Sequence, residues 1–315
     1  MLLFAFNQVA LVEDAVRSCL AQDSEPLEIV LTDDASTDGT FDVLQRLADA
    51  YRGPHSVRVR RNPVNLGVSA HYNAAVADCT GQLVVTAAGD DISLPHRVRT
   101  LAAAWDATGC RADLIASHLI DMDADGRDRG VIRVDDLSRW RGASDWLNKR
   151  PYVVGASHAF TRRLFARFGP IRADLPYEDQ VMALRATCLG GGVTVNEPLL
   201  RYRRGGLSAA GPQATDPAAH RRRLVVKHTR QRALALQVRQ DLQQAGLAGL
   251  WRGGMARKLH QSELMLAMCR AENWHERRAL AAHASNVNPL WAWAQAFAMQ
   301  WAGLRHGWRG KPPAH

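Results

Sequence analysis

Two acidic doublets, each directly after an apolar run, constrain this chain more than any other feature. Thr32-Asp33-Asp34-Ala35-Ser36-Thr37-Asp38-Gly39-Thr40 follows Leu27-Glu28-Ile29-Val30-Leu31, and Ala88-Gly89-Asp90-Asp91-Ile92-Ser93-Leu94-Pro95 follows Gln82–Ala87. Short apolar runs bounded by polar turns read as buried strands. Between them the apolar spacing becomes helical. Val9, Val12, Val16 and Leu20 share one face, and Phe41, Leu44, Leu47 and Ala48 another, with Asp38 placed to cap the second helix. Leu2–Phe6, and Val57 with Val59, mark further strands; Ser69–Cys79 reads as a helix, and Pro95 opens another. The alternation predicts an α/β fold with a mostly parallel sheet flanked by helices. The carboxyl ends of neighbouring parallel strands open on one crevice, where such sheets bind ligands. Four carboxylates gathered there repel one another unless a cation or hydrogen-bond donors offset them. A divalent metal and a nucleotide are therefore the expected occupants.

The remainder of the α/β part is less regular. Ala112–His118 reads as a strand, Asp121–Gly126 as a polar hairpin tip, Tyr152–Phe160 as a mixed strand, and Glu178-Asp179 as the start of a helix ended by Gly190-Gly191-Gly192. Pro198–Arg203 closes this part, a Gly/Ala/Pro-rich linker follows, and helix formers dominate from Ala218, with helices expected near 218–245, 247–271 and 274–304. Residues 218–315 carry 16 Lys+Arg against 4 Asp+Glu, whereas residues 1–217 carry 24 against 27. That asymmetry points the tail toward something anionic, a phospholipid surface or a diphosphate-bearing acceptor; a solvated basic helix face is the alternative. Six of the nine tryptophans (Trp251, Trp274, Trp291, Trp293, Trp301 and Trp308) lie in the tail, as packing residues or as an interfacial helix. No apolar run reaches the roughly eighteen residues a membrane span needs, and Met1–Phe6 has no basic stretch before it, so a cytoplasmic location is expected. Five scattered cysteines without a CxxC indicate neither a disulfide framework nor a zinc site.

Taken in order, these motifs resemble the family 2 glycosyltransferases. Phe6-Asn7 stands at the end of the first strand. Asp33–Thr40 matches DDxSxDGT, Asn65-Leu66-Gly67 with Asn73 matches the next element, and Gly89-Asp90-Asp91 with Pro95 and Arg97 matches the metal-binding element. Glu178-Asp179 with Arg185 matches the ED…R element, and Pro198-Leu199 with Tyr202-Arg203 the strand after it. The resemblance covers about residues 1–205. It implies a GT-A, Rossmann-like catalytic and nucleotide-sugar-binding domain over 1–205, joined by a linker at 206–217 to a basic helical region at 218–315.

The resemblance also implies roles. Asp34 would accept from uracil N3–H and Phe6 would stack on the base, with Asp33, Asn65, Gly67, Asp90 and Arg185 completing the donor site. Asp91, with Asp90, would ligate Mn²⁺ or Mg²⁺, hard cations suited to oxygen ligands. Asp179 would be the catalytic base beside Glu178, in an inverting transfer from a UDP-linked donor to a glycan or lipid-linked hydroxyl. Structural alternatives stand beside these: Phe6 as a core residue, the acids as helix caps, and Arg185 in a structural ion pair. The chain departs from the family pattern at Gly89, where an Asp is more usual, and lacks the QxxRW element of processive members, which implies transfer of a single sugar. A sugar-phosphate nucleotidyltransferase and a non-catalytic binding protein on the same fold are the rival readings; no nucleic-acid recognition motif accompanies the basic tail.

Overall fold

The computed structural model describes residues 1–204 and 217–307, which form two compact units: 1–204 with 244–246, and 217–243 with 247–307. The first unit opens with strand–helix alternation: β1 (Leu2–Ala5), α1 (Val12–Leu20), β2 (Glu28–Asp33), α2 (Thr40–Ala50), β3 (Ser56–Arg61), α3 (Val68–Asp78) and β4 (Leu83–Ala88). It continues through the two-residue β5 (Ile92–Ser93), α4 (Arg97–Ala107), β6 (Leu114–Met122), β7 (Asp128–Ile132), α5 (Ala143–Asn148), β8 (Ala159–Thr161), α6 (Arg163–Phe168), α7 (Asp179–Thr187) and β9 (Gly192–Arg203). The strands form one mixed sheet in the order β3-β2-β1-β4-β8-β6-β9-β5, with β7 paired to β6. β3, β2, β1 and β4 run parallel, as do β6 and β9; β8 is antiparallel to both its neighbours.

Strand β2 is buried along nearly its whole length, which is why Ile29, Val30 and Leu31 form a run rather than an alternation. Its side chains pack with Val12, Val16, Leu44 and Leu47 from α1 and α2. Each such aliphatic side chain removed from water contributes about 1.5–3 kcal/mol. β3, at the sheet edge, carries Arg58, Arg60 and Arg61, charges that discourage edge-to-edge pairing.

Several expected elements shift. The Asp121–Gly126 tip begins two residues later, because β6 runs on to Met122 and the turn closes with Gly126 N–H donating to Asp123 O at 3.1 Å. Of the expected Tyr152–Phe160 strand only Ala159 and Phe160 lie in β8; Gly155–Ser157 forms a 3-10 turn instead. β9 starts at Gly192, six residues before the expected strand.

The second unit holds α8 (Pro217–Gln244), α9 (Gly254–Arg270), α10 (Trp274–Ala282) and α11 (Pro289–Gly307). The helix expected over 247–271 is delayed to Gly254 by Gly253, whose φ of 64° breaks helical geometry. Met265, Met268, Ala281, Ala292 and Ala296 form its core, with Trp274, Trp291 and Trp293 packed against it. Residues 206–216 of the expected linker, with Gly205 and Trp308, lie outside the described residues, and Pro217 begins α8. No described helix is long and apolar enough to cross a membrane.

Candidate donor and catalytic site

Ala5 lies beside Asp33 and Phe4 beside Ala88, so the ends of β1, β2 and β4 are level. The turns that follow them share one edge of the sheet. They are tied together: Asn7 N–H donates to Ser36 Oγ (2.9 Å), Thr37 N–H to Asn7 Oδ1 (2.9 Å) and Gln8 N–H to Thr40 Oγ1 (2.8 Å). Gly39, not Asp38, takes the cap position of α2. Asp38 instead joins the turns, accepting from Thr40 N–H (3.0 Å) and Val9 N–H (3.0 Å). Phe6 is 41% exposed, so it is not a core residue.

Asp33 is fully buried; its Oδ2 accepts from Ser36 N–H (2.9 Å) and lies 3.4 Å from Arg61 Nε, while Oδ1 has no partner. Asp34 organises the turn between β3 and α3. Its Oδ1 accepts from Asn62 Nδ2 (2.6 Å) and Leu66 N–H (2.9 Å), and its Oδ2 from Gly67 N–H (2.9 Å). An ionised carboxylate offers about four acceptor positions, so one remains. Asn65 Oδ1 also holds Gly67 N–H (3.0 Å), and Gly67 has a φ of 78°, a conformation that favours glycine. Asn62 Oδ1, Ser69 Oγ and His71 Nε2 are buried here without partners. Burial holds His71 below its ordinary pKa against the pull of Asp34.

Asp91 is 4% exposed; Oδ1 accepts from Arg203 N–H (2.9 Å) and Oδ2 has no partner. Burial, reinforced by Asp90, pushes its pKa up to about 8. Burial also raises Asp90, which the Gln8 side chain hydrogen-bonds. The space where Gly89 would carry a side chain is taken: a Cβ there would collide with Gln8 Oε1 and lie 3.2 Å from both Ala5 Cβ and Phe4 O. Gln8 was not singled out by the sequence; the only signal was its place in the turn after β1.

Behind Asp91 stands Arg97, fully buried, donating to Ser93 Oγ (2.9 Å) and Ala156 O (2.6 Å). The adjoining Gly155 O accepts from Thr86 Oγ1 of β4 (2.9 Å), and Gly155 packs so tightly on Glu178 that a Cβ there would strike Glu178 Oε1. One turn therefore links the support of Asp91 to the Glu178-Asp179 pair, without direct contact between the two acidic groups. Glu178 takes the cap position of α7, and burial plus Asp179 pushes its pKa up to about 7. Asp179 is also raised, mainly by burial; Gln180 N–H (2.6 Å) and the positive charge of Arg150 act against this. Arg150, over the Trp146 ring at 5.0 Å, is a second group the sequence reading passed over, because Arg150-Pro151 lies in a loop without periodicity.

Arg185 departs from its expected place in the donor site. It is fully buried, with Nη1 donating to Gly169 O (2.8 Å) and its guanidinium over the rings of Phe165 and Phe168. It supports the α6–α7 packing.

A hard divalent cation fits the acidic turn. Among the described residues no cluster of three potential ligands is present. A cation that keeps waters and takes one or two carboxylates plus phosphate oxygens suits the Asp90-Asp91 pair, and the unpartnered Asp91 Oδ2 is an oxygen it could take.

The chain is similar to several known proteins. The chain is 32% identical over 100 residues to the putative glycosyltransferase EpsE of Bacillus subtilis, covering 31% of this chain and 34% of that protein. It is 26% identical over 208 residues to the succinoglycan biosynthesis protein ExoO of Rhizobium meliloti, covering 63% and 58%. These matches thus span less than two-thirds of either relative. Among solved structures, Staphylococcus aureus TarS 1-349 in complex with UDP-GlcNAc superposes with a TM-score of 0.54 at 15% identity, covering 97% of this chain and 91% of that one. The mannosyltransferase PcManGT from Pyrobaculum calidifontis, in complex with GDP-Man and Mn²⁺, gives 0.50 at 19% identity, covering 99% and 87%. The fold is thus GT-A. The model of glycosyl transferase family 2 matches residues 2–168, and the chain belongs to that family.

Proposed function

We propose that the protein transfers a single sugar, with inversion, from a UDP-linked donor to a hydroxyl of a surface-glycan or lipid-linked acceptor, in the cytoplasm. Residues 1–205 bind the donor and carry the chemistry. The observation that carries this reading is the buried Asp91 carboxylate beside Asp90, with one oxygen unpartnered, at the carboxyl end of a parallel strand. Relatives in glycan synthesis and the UDP- and GDP-sugar complexes of the structural neighbours support it.

Phe6 offers its exposed ring to the base, and the remaining acceptor position of Asp34 takes uracil N3–H, a donor that cytosine lacks. Asp90 and Asp91 would hold Mn²⁺ or Mg²⁺, which when bound supplies Lewis-acid neutralisation of the leaving diphosphate. Asp179 takes the proton of the acceptor hydroxyl as the sugar carbon is attacked from the face opposite the diphosphate. Glu178, deprotonating near neutral pH, tunes Asp179 through their repulsion.

The nucleotidyltransferase reading needs a Gly-rich, basic loop after β1; here that turn is Asn7-Gln8-Val9-Ala10, bonded to Ser36, Thr37 and Thr40. A non-catalytic protein would have no use for the pair at the start of α7. Donor hydrolysis measured across UDP-, GDP- and dTDP-sugars with Mn²⁺ tests the donor. Asp91→Asn and Asp179→Asn should each abolish transfer, and only Asp91→Asn should weaken metal-dependent UDP binding. Full activity in both variants would overturn the assignment.

A further inference from the structure

The helical unit carries two largely exposed faces, one of them holding Phe297, whose ring rests on Trp274 at 4.9 Å while half of the residue stays open to solvent. The first lies on α8. From Pro217 to Gln240 the sequence contains no Asp or Glu. In the first half of the helix Arg221, Arg222, Lys227 and Arg230 are exposed, and none of these four has an ion-pair partner among the described residues. At about 100° per residue, Val225, Arg222, Val226 and Arg230 fall on one broad face, and both valines are exposed, Val226 by 49%. His228 turns the other way and is buried near Ser262 of α9.

The second face lies on α11. Leu290 is 82% exposed and Phe297 49%, and Ala294 and Ala298 between and beyond them are exposed as well. The spacing of four, seven and eight residues places all four on one side of the helix. Ala292 and Ala296, on the other side, are in the core with Met265 and Met268. Residues 289–299 carry no charge. An uncharged apolar face of this kind, left in water, marks an interaction surface.

We infer that this unit docks on an anionic phospholipid surface, with the α8 arginines meeting lipid phosphates and the Leu290–Phe297 face entering the headgroup boundary. Each face alone has an ordinary explanation: a solvated basic helix, or an apolar contact with a protein. Together they are the two components that stable, reversible membrane anchoring requires, electrostatic attraction to anionic headgroups and buried apolar area. Charge complementarity decides the lipid class. Each exposed cation gains roughly fivefold in partitioning near an anionic leaflet and nothing on a zwitterionic one. The inference refines the acceptor side of the proposed function but stands on residues outside the donor site, so the two can fail separately.

The test is co-sedimentation of the full chain with vesicles of phosphatidylglycerol mixed with phosphatidylcholine, and of phosphatidylcholine alone. UDP binding is followed in the same preparations. The expected result is binding to the mixed vesicles only, weakened by salt. Arg222→Glu with Arg230→Glu should lose about tenfold or more of that binding. Leu290→Ser with Phe297→Ser should lose it too, and both variants should keep wild-type circular dichroism and UDP binding. Equal partitioning to both vesicle types overturns the inference, as does retained binding in either variant. If the arginine variant instead loses affinity for a short RNA duplex while vesicle binding stands, the basic face serves nucleic acid. If the Leu290/Phe297 variant converts a dimer to a monomer with vesicle binding intact, the apolar face meets a second copy. Failure of UDP binding in the wild type would sink the donor reading and leave this one standing.

Discussion

Gly89 and Asp34 show how tightly single residues are held at the ends of β2 and β4. Gln8 fills the space that a side chain at Gly89 would need. An acid placed there is therefore not a gain. Gly89→Asp should displace the Gln8 amide from Asp90 and lower transfer about tenfold or more, whereas Gly89→Asp combined with Gln8→Ala should recover part of it; steady-state kinetics of both variants decide. Asp34 accepts three hydrogen bonds from one turn. Asp34→Ala leaves buried donors of that turn unpaired, so it should cost about 1–3 kcal/mol in chemical denaturation as well as weaken UDP binding. A residue that only touched the nucleotide would leave stability unchanged, which separates the two roles.

At the scale of elements, the turn over Gly155–Ser157 sets the electrostatics of the α7 start. It packs on Glu178, whose pKa in the folded chain lies near 7 against an ordinary 4.5. A carboxyl raised on folding costs nothing at pH values where both states are protonated. The cost grows as pH rises from about 4.5 and is complete above about 7. Glu178→Gln should therefore stabilise the protein at pH 8 by about 1–3 kcal/mol, discounted for partial exposure, with the gain vanishing in acid. Thermal melts across pH read this directly, and transfer activity should fall in the same variant. The elements themselves differ in how far sequence announces them. β2 and β4 are buried runs of aliphatic residues, and Val57/Val59 and Ser69–Cys79 keep strand and helix spacing, so local pattern and final structure agree. β7 and β5 do not announce themselves: Asp128–Ile132 is mostly exposed, and Ile92–Ser93 is two residues long, so each exists through its partner strand. Tyr152–Phe160 misleads for a related reason. Its apolar residues serve a 3-10 turn whose carbonyls are claimed by Thr86 and Arg97.

Across the whole molecule, the candidate site was legible where chemistry is written in adjacent residues. Asp33-Asp34, Asp90-Asp91 and Glu178-Asp179 are doublets at element ends, and the structure sets the first two on one sheet edge and ties the third to them through Gly155-Ala156. Partners distant in sequence were not legible: Gln8 meets Asp90, Arg150 faces Asp179, and Arg203 N–H binds Asp91 only because β9 returns beside β5. Arg185 misled because a motif position reports spacing and not depth. The same scale reveals a division of charge that the isoelectric point of about 9.8 conceals: 16 Lys+Arg against 4 Asp+Glu in residues 218–315, and a slight acidic excess before them. A sulfonated bead at neutral pH should thus hold the protein through the cations of residues 218–315, and the salt needed for release should fall when Arg222 and Arg230 are replaced by glutamate.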